Sequence, residues 1–294
     1  MKIKAGKYLI LCTVVISLLA FLVTGCAGNE NKPDLSKPPQ IPPESSFVMD
    51  LEDFTSLNQS SVQYAQLASF VFEGALSHPD TADALGDRSY WGYAAFNVGF
   101  WNLVGVLGLA IPVASFIESF NHTPIQQDNY WVWTYDVPVG GDVYTAELHG
   151  KYVDNGVQWE MYISKQGGFT DFLWYYGESD LPATEGYWVL KNSPSVPSEL
   201  IRIDWHRNLK DGTGDIKYTN IVPNGPENGG FISYTVTTGK TYNRFYEIYN
   251  KGKNQTTYIE WNNATREGRV RDSVHFGDNS WRCWDSQLVN AQCQ

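Results

Sequence analysis

Basic side chains are in short supply: the 294 residues hold 21 Lys and Arg against 32 Asp and Glu, a formal charge of −11. A polyanion of this kind is repelled by nucleic acid and by anionic headgroups, so nucleic acid is excluded as a partner. Histidine is also sparse. The five, His78, His122, His149, His206 and His275, form no HExxH, no HxH and no ligand spacing with a cysteine, so no metal site is expected. His149, His206 and His275 fall in strand-like runs and read as half-exposed strand residues. There is no GxSxG elbow and no glycine-rich phosphate loop, which leaves nucleophilic catalysis without a candidate. Cysteine occurs four times, with no CxxC redox motif. No catalytic residue, metal or cofactor is assigned, and the chain is expected not to be an enzyme.

The first 25 residues have the parts of an export signal: Lys2, Lys4 and Lys7, an uncharged apolar run from Tyr8 to Val23, then small residues. The series Leu22, Val23, Thr24, Gly25, Cys26 resembles the lipobox of bacterial type II signal peptides, with Thr24 a departure from the commonest pattern. The resemblance implies removal of residues 1–25 and lipidation of Cys26. It also implies a lipid-anchored location in the cell envelope, at the outer membrane on its periplasmic or surface face. Loss of three lysines takes the formal charge of the remaining 269 residues to −14. Cys12 leaves with the signal and Cys26 carries lipid, so Cys283 and Cys293 remain as an even pair in an oxidising compartment. A disulfide between them is expected, worth about 2 to 3 kcal/mol to the chain end in the chain-entropy picture.

Residues 26–45 contain Pro33, Pro38, Pro39, Pro42 and Pro43 and hardly any apolar residue. Such a segment reads as an extended spacer. One β-rich domain is expected over 46–294, with helical character between 60 and 120. Alternation of Phe47, Met49 and Leu51 with Val48, Asp50 and Glu52 suggests a strand over 47–54. The spacing of Val62, Leu67, Phe70, Val71 and Ala75 predicts a helix over 60–76.

Between Arg88 and Glu118 lie 29 residues without a formal charge, long enough to span a bilayer. A single span after a lipidated Cys26 would carry the rest of the chain into the cytoplasm. The flank beyond it is acidic, with Glu118, Asp128, Asp136 and Asp142 before Lys151, which opposes the positive-inside rule. A core helix or broken helical pair is the favoured expectation.

From residue 129 the period becomes two. Val157, Trp159, Met161 and Ile163 alternate with polar residues, as do Ile201, Ile203 and Trp205. Similar runs stand at 130–137, 143–153, 170–176, 185–191, 231–237, 241–249, 256–261 and 269–276. Gly and Asn between them mark tight turns. The expected fold is mainly β: a strongly curved antiparallel up-and-down sheet, or half-barrel, of about ten or eleven strands wrapped round the apolar helix. In architecture this resembles the lipoprotein carrier folds LolA, LolB and LppX, half-closed sheets that hold acyl chains in their hollow. The resemblance carries over no residue.

Aromatic residues are in excess, with 11 Trp and 18 Tyr. Trp131, Trp133, Trp159, Met161, Trp174, Trp188 and Trp205 are the candidates to line a cavity for a lipid or other hydrophobic ligand, although core packing explains such stripes as well. The alternative is a surface module that grips glycans or a protein through exposed Trp and Tyr, its hollow plugged by the helix. A third possibility is a hydrolase using Glu178, Asp180 and Glu185, which a solvated hairpin explains more simply. The KDGTGD run at 210–215 reads as a glycine-rich turn and not a calcium loop.

Overall fold

The residues described in the computed structural model are 33–49 and 88–293, side chains at 99–108 excepted. The signal, Cys26, the helix expected at 60–76 and the end of the strand expected at 47–54 lie outside them. The chain divides into two compact units, Met1–Lys37 and Pro38–Gln294. In the first, Asp34 accepts from the amide and hydroxyl of Ser36 and pairs with Lys37 at 3.3 Å.

The second unit carries one sheet of fourteen antiparallel strands: β1 (Ile125–Gln127), β2 (Tyr130–Val139), β3 (Asp142–Val153), β4 (Gly156–Lys165), β5 (Phe172–Asp180), β6 (Glu185–Ser193), β7 (Val196–Arg207), β8 (Gly214–Asn220), β9 (Phe231–Val236), β10 (Arg244–Asn250), β11 (Gln255–Trp261), β12 (Gly268–Arg271), β13 (Arg282–Trp284) and β14 (Asn290–Ala291). Each pairs only with its neighbours in sequence, and β1 does not meet β14, so the sheet is open and not a closed barrel. The four strands beyond the ten expected have simple reasons. β1, β13 and β14 are two or three residues long, too short to establish a period, and β8 offers only Ile216 and Tyr218 among polar residues. Residues 273–276, expected to continue a strand, form the short helix α2 (Ser273–Phe276). The Asp272 carboxylate accepts from the amides of Val274 and His275 and caps its first turn. His275 therefore sits on a helix.

Along the strands the inward set is apolar and the outward set polar. Four of the inward positions repeat one device. Gly150, Gly177, Gly186 and Gly268 stand directly opposite Trp159, Trp188, Trp205 and Trp284 on the next strand. Each indole lies over its glycine: a Cβ there would come within 2.7 Å of Trp159, 2.8 Å of Trp188 or 2.9 Å of Trp205. A bare backbone beneath a large ring relieves crowding on the inner face and lets the sheet curl.

The charge-free segment is one continuous helix, α1 (Ser89–Glu118), with Pro112 inside it, rather than a broken pair. It is about 45 Å long at 1.5 Å per residue. Its first turns reach the last strands, where the Tyr90 amide donates to Asn290 of β14 and Tyr93 donates to Asp272 after β12. Its last turns reach the first strands, where Tyr135 of β2 donates to the Ser115 carbonyl at 2.7 Å. Ala94, Ala95, Val98, Leu109 and Phe116 are buried in one core with the inward faces of the strands. Among the described residues no helix is long and apolar enough to cross a membrane.

The segment expected to be spacer is, from Pro38 onward, part of this body, with Pro39 and Pro42 buried. Its end plugs the hollow. Phe47 is 1 % exposed and stacks on Phe116 at 4.7 Å, with Tyr175 at 4.8 Å and Trp188 at 5.8 Å. The Tyr218 hydroxyl donates to the Phe47 carbonyl and accepts from the Met49 amide, which fixes the strap without a strand ladder.

Asp272 is fully buried and accepts from Tyr93, Gln255 and Thr257 as well as the two α2 amides. Burial alone would push its pKa up, but these donors outweigh it and hold the carboxyl below its usual value. The sign follows: a depressed folded pKa stabilises the fold at pH above the unfolded value of 3.8, and that stability is lost as pH falls through the folded pKa. Asp272→Asn should cost about 3 kcal/mol at neutral pH by leaving several donors without a charged acceptor. Urea unfolding should find the wild type losing part of its advantage over the variant in acid. An unchanged midpoint at neutral pH would overturn this account.

Candidate ligand-binding site

The hollow of the sheet was one candidate. Trp133, Trp159, Met161, Trp174, Trp188 and Trp205 are all buried and Trp131 is half-buried, in a single core shared with Phe47 and α1. The structure does bring the predicted residues together. They pack against each other and the helix: Trp133 lies 5.9 Å from Trp159, and Trp159 lies 6.5 Å from Trp188. The indole of Trp159 donates to Ser179 at 3.0 Å and that of Trp188 to Ser46 at 3.3 Å. The N–H groups of Trp174 and Trp205 and the hydroxyl of Tyr175 have no hydrogen-bond partner.

A second candidate lies at the ends of β5 to β8, where a shallow cleft of about 480 Å³ opens to solvent. Strand register builds it. Glu178 on β5 stands opposite Tyr187 on β6, which stands opposite Asp204 on β7. Two residues along the strands, Glu185 on β6 stands opposite His206 on β7, which stands opposite Asp215 on β8. Because side chains alternate, all six point to the outer face. Val153 and Asn155 close one end, and Trp205 lines the cleft beside Gly186.

The electrostatics are one-sided. Glu178, Asp180, Glu185, Asp204 and Asp215 all line the cleft, without a Lys or Arg. Arg202 lies at the edge, its Nε 2.9 and 3.0 Å from the two Asp204 oxygens and its guanidinium 4.2 Å from the Tyr187 ring centre. Burial, helped by the charge of Glu178 and opposed by Arg202, raises the Tyr187 phenol above its ordinary pKa and keeps it a neutral donor. His206 Nδ1 lies 3.4 Å from Asp215.

The three acids of the GESDLPATE run do not act as one group. Asp180 is committed to the β5–β6 turn, where it accepts from the amides of Thr184 and Glu185 and from the Thr184 hydroxyl. That turn holds Ala183 at φ 50 and is tied to β7 by Arg207, whose Nε donates to the Ala183 carbonyl at 2.7 Å. Glu178 and Glu185 are left exposed at the rim. Among the described residues no three His, Cys, Asp or Glu side chains could hold a metal together. In the 210–215 run Asp211 accepts from the amide and hydroxyl of Thr213, an ordinary turn with Gly212 at φ 69. Cys283 and Cys293 form a disulfide with an S–S distance of 2.08 Å.

Sequence reasoning missed Tyr187, Asp204 and Asp215 as site residues, and it set His206 aside. Their only signal is register, which places residues 178, 187 and 204 side by side. No family model, curated protein or solved structure matches this chain.

Gly186 lets β5 and the Trp205 ring pack closely against β6. A Cβ there would meet the Glu178 carbonyl and stand 2.9 Å from the Trp205 ring. Gly186→Ala should cost about 1 to 3 kcal/mol as an overpacked site. Thermal unfolding checks it, and an unshifted midpoint would show that the strands yield freely.

Proposed function

We propose that this chain is a lipid-anchored, non-enzymatic protein of the bacterial cell envelope whose β body binds a glycan in the cleft at the ends of β5 to β8. The observation that carries the reading is the filling of the hollow. Phe47, Phe116, Tyr175 and Trp188 occupy it with ring centres 4.7 to 6.4 Å apart, and Ile203, Ile232 and Ile259 opposite are fully buried. An acyl chain would have to displace this packing. Ligand recognition is therefore assigned to the outside, and of the two binding modes expected from the sequence the surface module has the support.

The cleft's chemistry suits a polyhydroxylated ligand. Ionised carboxylates are acceptors only, and sugar hydroxyls are donors that meet them without leaving a charge unsolvated. The half-buried Tyr187 offers a ring face for the apolar side of a sugar. An apolar ligand would strip water from several carboxylates with nothing in return. A phosphorylated or sulfated ligand would face like charge. Glu178 and Glu185 lack a geometry that singles out an acid and a base, so binding rather than hydrolysis is the reading adopted.

Two measurements test this. Cys26→Ser should move the chain from the membrane to the soluble fraction, since acyl chains supply the attachment; a variant that stays membrane-bound would refute the anchor. A panel of oligosaccharides should contain a ligand whose affinity drops about tenfold, or 1.4 kcal/mol, in Tyr187→Ala with no shift in unfolding midpoint. Equal binding by wild type and Tyr187→Ala, or a co-purified acyl ligand in native mass spectrometry, would overturn the glycan cleft.

A further inference from the structure

We propose a second binding site on the outer face, at β11 to β13, where Arg271 takes the carboxylate of an acidic sugar. Arg271 of β12 stands opposite Tyr258 of β11, and Trp281 leads into β13 just before Arg282, the partner of Val270. The guanidinium carbon lies over both rings, 4.7 Å from the centre of each. Val270 beside it is fully buried in the core, so alternation turns Arg271 outward. Every other half-buried arginine among the described residues donates to an oxygen of the protein: Arg202 to Asp204, Arg207 to the Ala183 carbonyl, Arg244 to the Asn243 carbonyl, Arg269 to Glu260 and Arg282 to Asp278. Arg271 makes no hydrogen bond or ion pair among the described residues. Its Nε is closed off from solvent, and the two Nη nitrogens stay open with their donors unused.

A guanidinium laid against two rings has already lost much of its rotamer freedom and part of its water. An arriving anion therefore costs little further ordering and meets a stronger field than in bulk solvent. The Nη pair presents parallel N–H donors that match the two oxygens of one carboxylate. Charge selects the same partner. Arg269, 4.3 Å from the Trp281 ring centre, is neutralised by Glu260 at 2.7 Å, and Arg282 by Asp278 at 2.7 Å. One uncompensated cation remains, which suits a single negative charge better than a phosphate dianion. The acid facing it along the row is Glu247, beyond Tyr258 and roughly 10 Å away at the spacing of strands. The net negative charge of the chain is screened over about 10 Å in ordinary salt, so it does not decide a local contact. That a sugar carries the carboxylate rests on the glycan reading, and the half-buried rings of Tyr258 and Trp281 offer apolar surface beside the fork. The site is not the cleft. Tyr187 and Arg271 share one outward row but stand on β6 and β12, about 29 Å apart along the sheet.

Calorimetry on the full chain purified from membranes in detergent tests this with cellobiouronate, a disaccharide bearing one carboxylate, and its uncharged methyl ester. The acid should bind at least about tenfold more tightly, and the gap should narrow at high salt. Arg271→Gln should abolish the preference. Arg271→Lys, which keeps the charge without the fork, should restore only part of it. Neither variant should alter binding of an oligosaccharide that depends on Tyr187. The comparison of acid with ester in the wild type needs no variant, so it stands even if a substitution here weakens the fold. Equal affinities for acid and ester, or a preference that survives Arg271→Gln, would overturn the site and leave the cleft standing. Tighter binding of glucose 6-sulfate than of cellobiouronate would overturn the carboxylate, and equal binding of N-acetyl-alanyl-alanine would overturn the sugar. Failure of every oligosaccharide to depend on Tyr187 would overturn the cleft, with Arg271 still judged by acid against ester.

Discussion

The contact on which the rest of the molecule depends is the burial of α1 against both ends of an open sheet. An open antiparallel sheet of fourteen strands has a large apolar face and nothing in its hydrogen bonding to cover it. The helix reaches β2 with its last turns and the region of β12 to β14 with its first. One helix therefore ties together strands that lie more than a hundred residues apart. Removing large side chains from water at roughly 25 cal/mol per Å² drives this contact, and a helix apolar on all sides needs such a surround.

The polar features of the core are arranged to permit that burial. Tyr93, Gln255 and Thr257 converge on Asp272, so a carboxylate can be placed under the helix with its acceptor capacity used. Tyr135 satisfies a carbonyl near the helix end, and Tyr218 satisfies both a carbonyl and an amide of the strap that carries Phe47. The glycine and tryptophan pairs do the complementary work on the sheet. They let strands bend toward the helix and fill the bend with a ring.

Filling the inside has a consequence for the outside. With the inward face filled along the described strands, the polar face is the one that meets solvent, and its charges are sorted by strand register. Most outward cations are engaged with rings or acids, as Lys217 is with Phe231 and Arg269 with Glu260 and Trp281. At the ends of β5 to β8 the acids outnumber them, and that local excess gives the cleft its character.

Much of the architecture was legible in the chain itself. Alternation placed ten of the fourteen strands, because a half-buried strand must repeat every two residues; the uncharged run between Arg88 and Glu118 marked the helix, and the closely spaced Cys283 and Cys293 marked the disulfide. What periodicity cannot carry is which distant residues become neighbours. That Trp188 would meet both Phe47 and Trp159, that prolines 39 and 42 would be buried, and that Glu178, Tyr187 and Asp204 would share one row all follow from register and from the closing of the hollow. Local sequence determines the face on which a side chain stands. Tertiary packing alone decides what stands opposite it, since that depends on contacts between segments whose spacing along the chain is arbitrary.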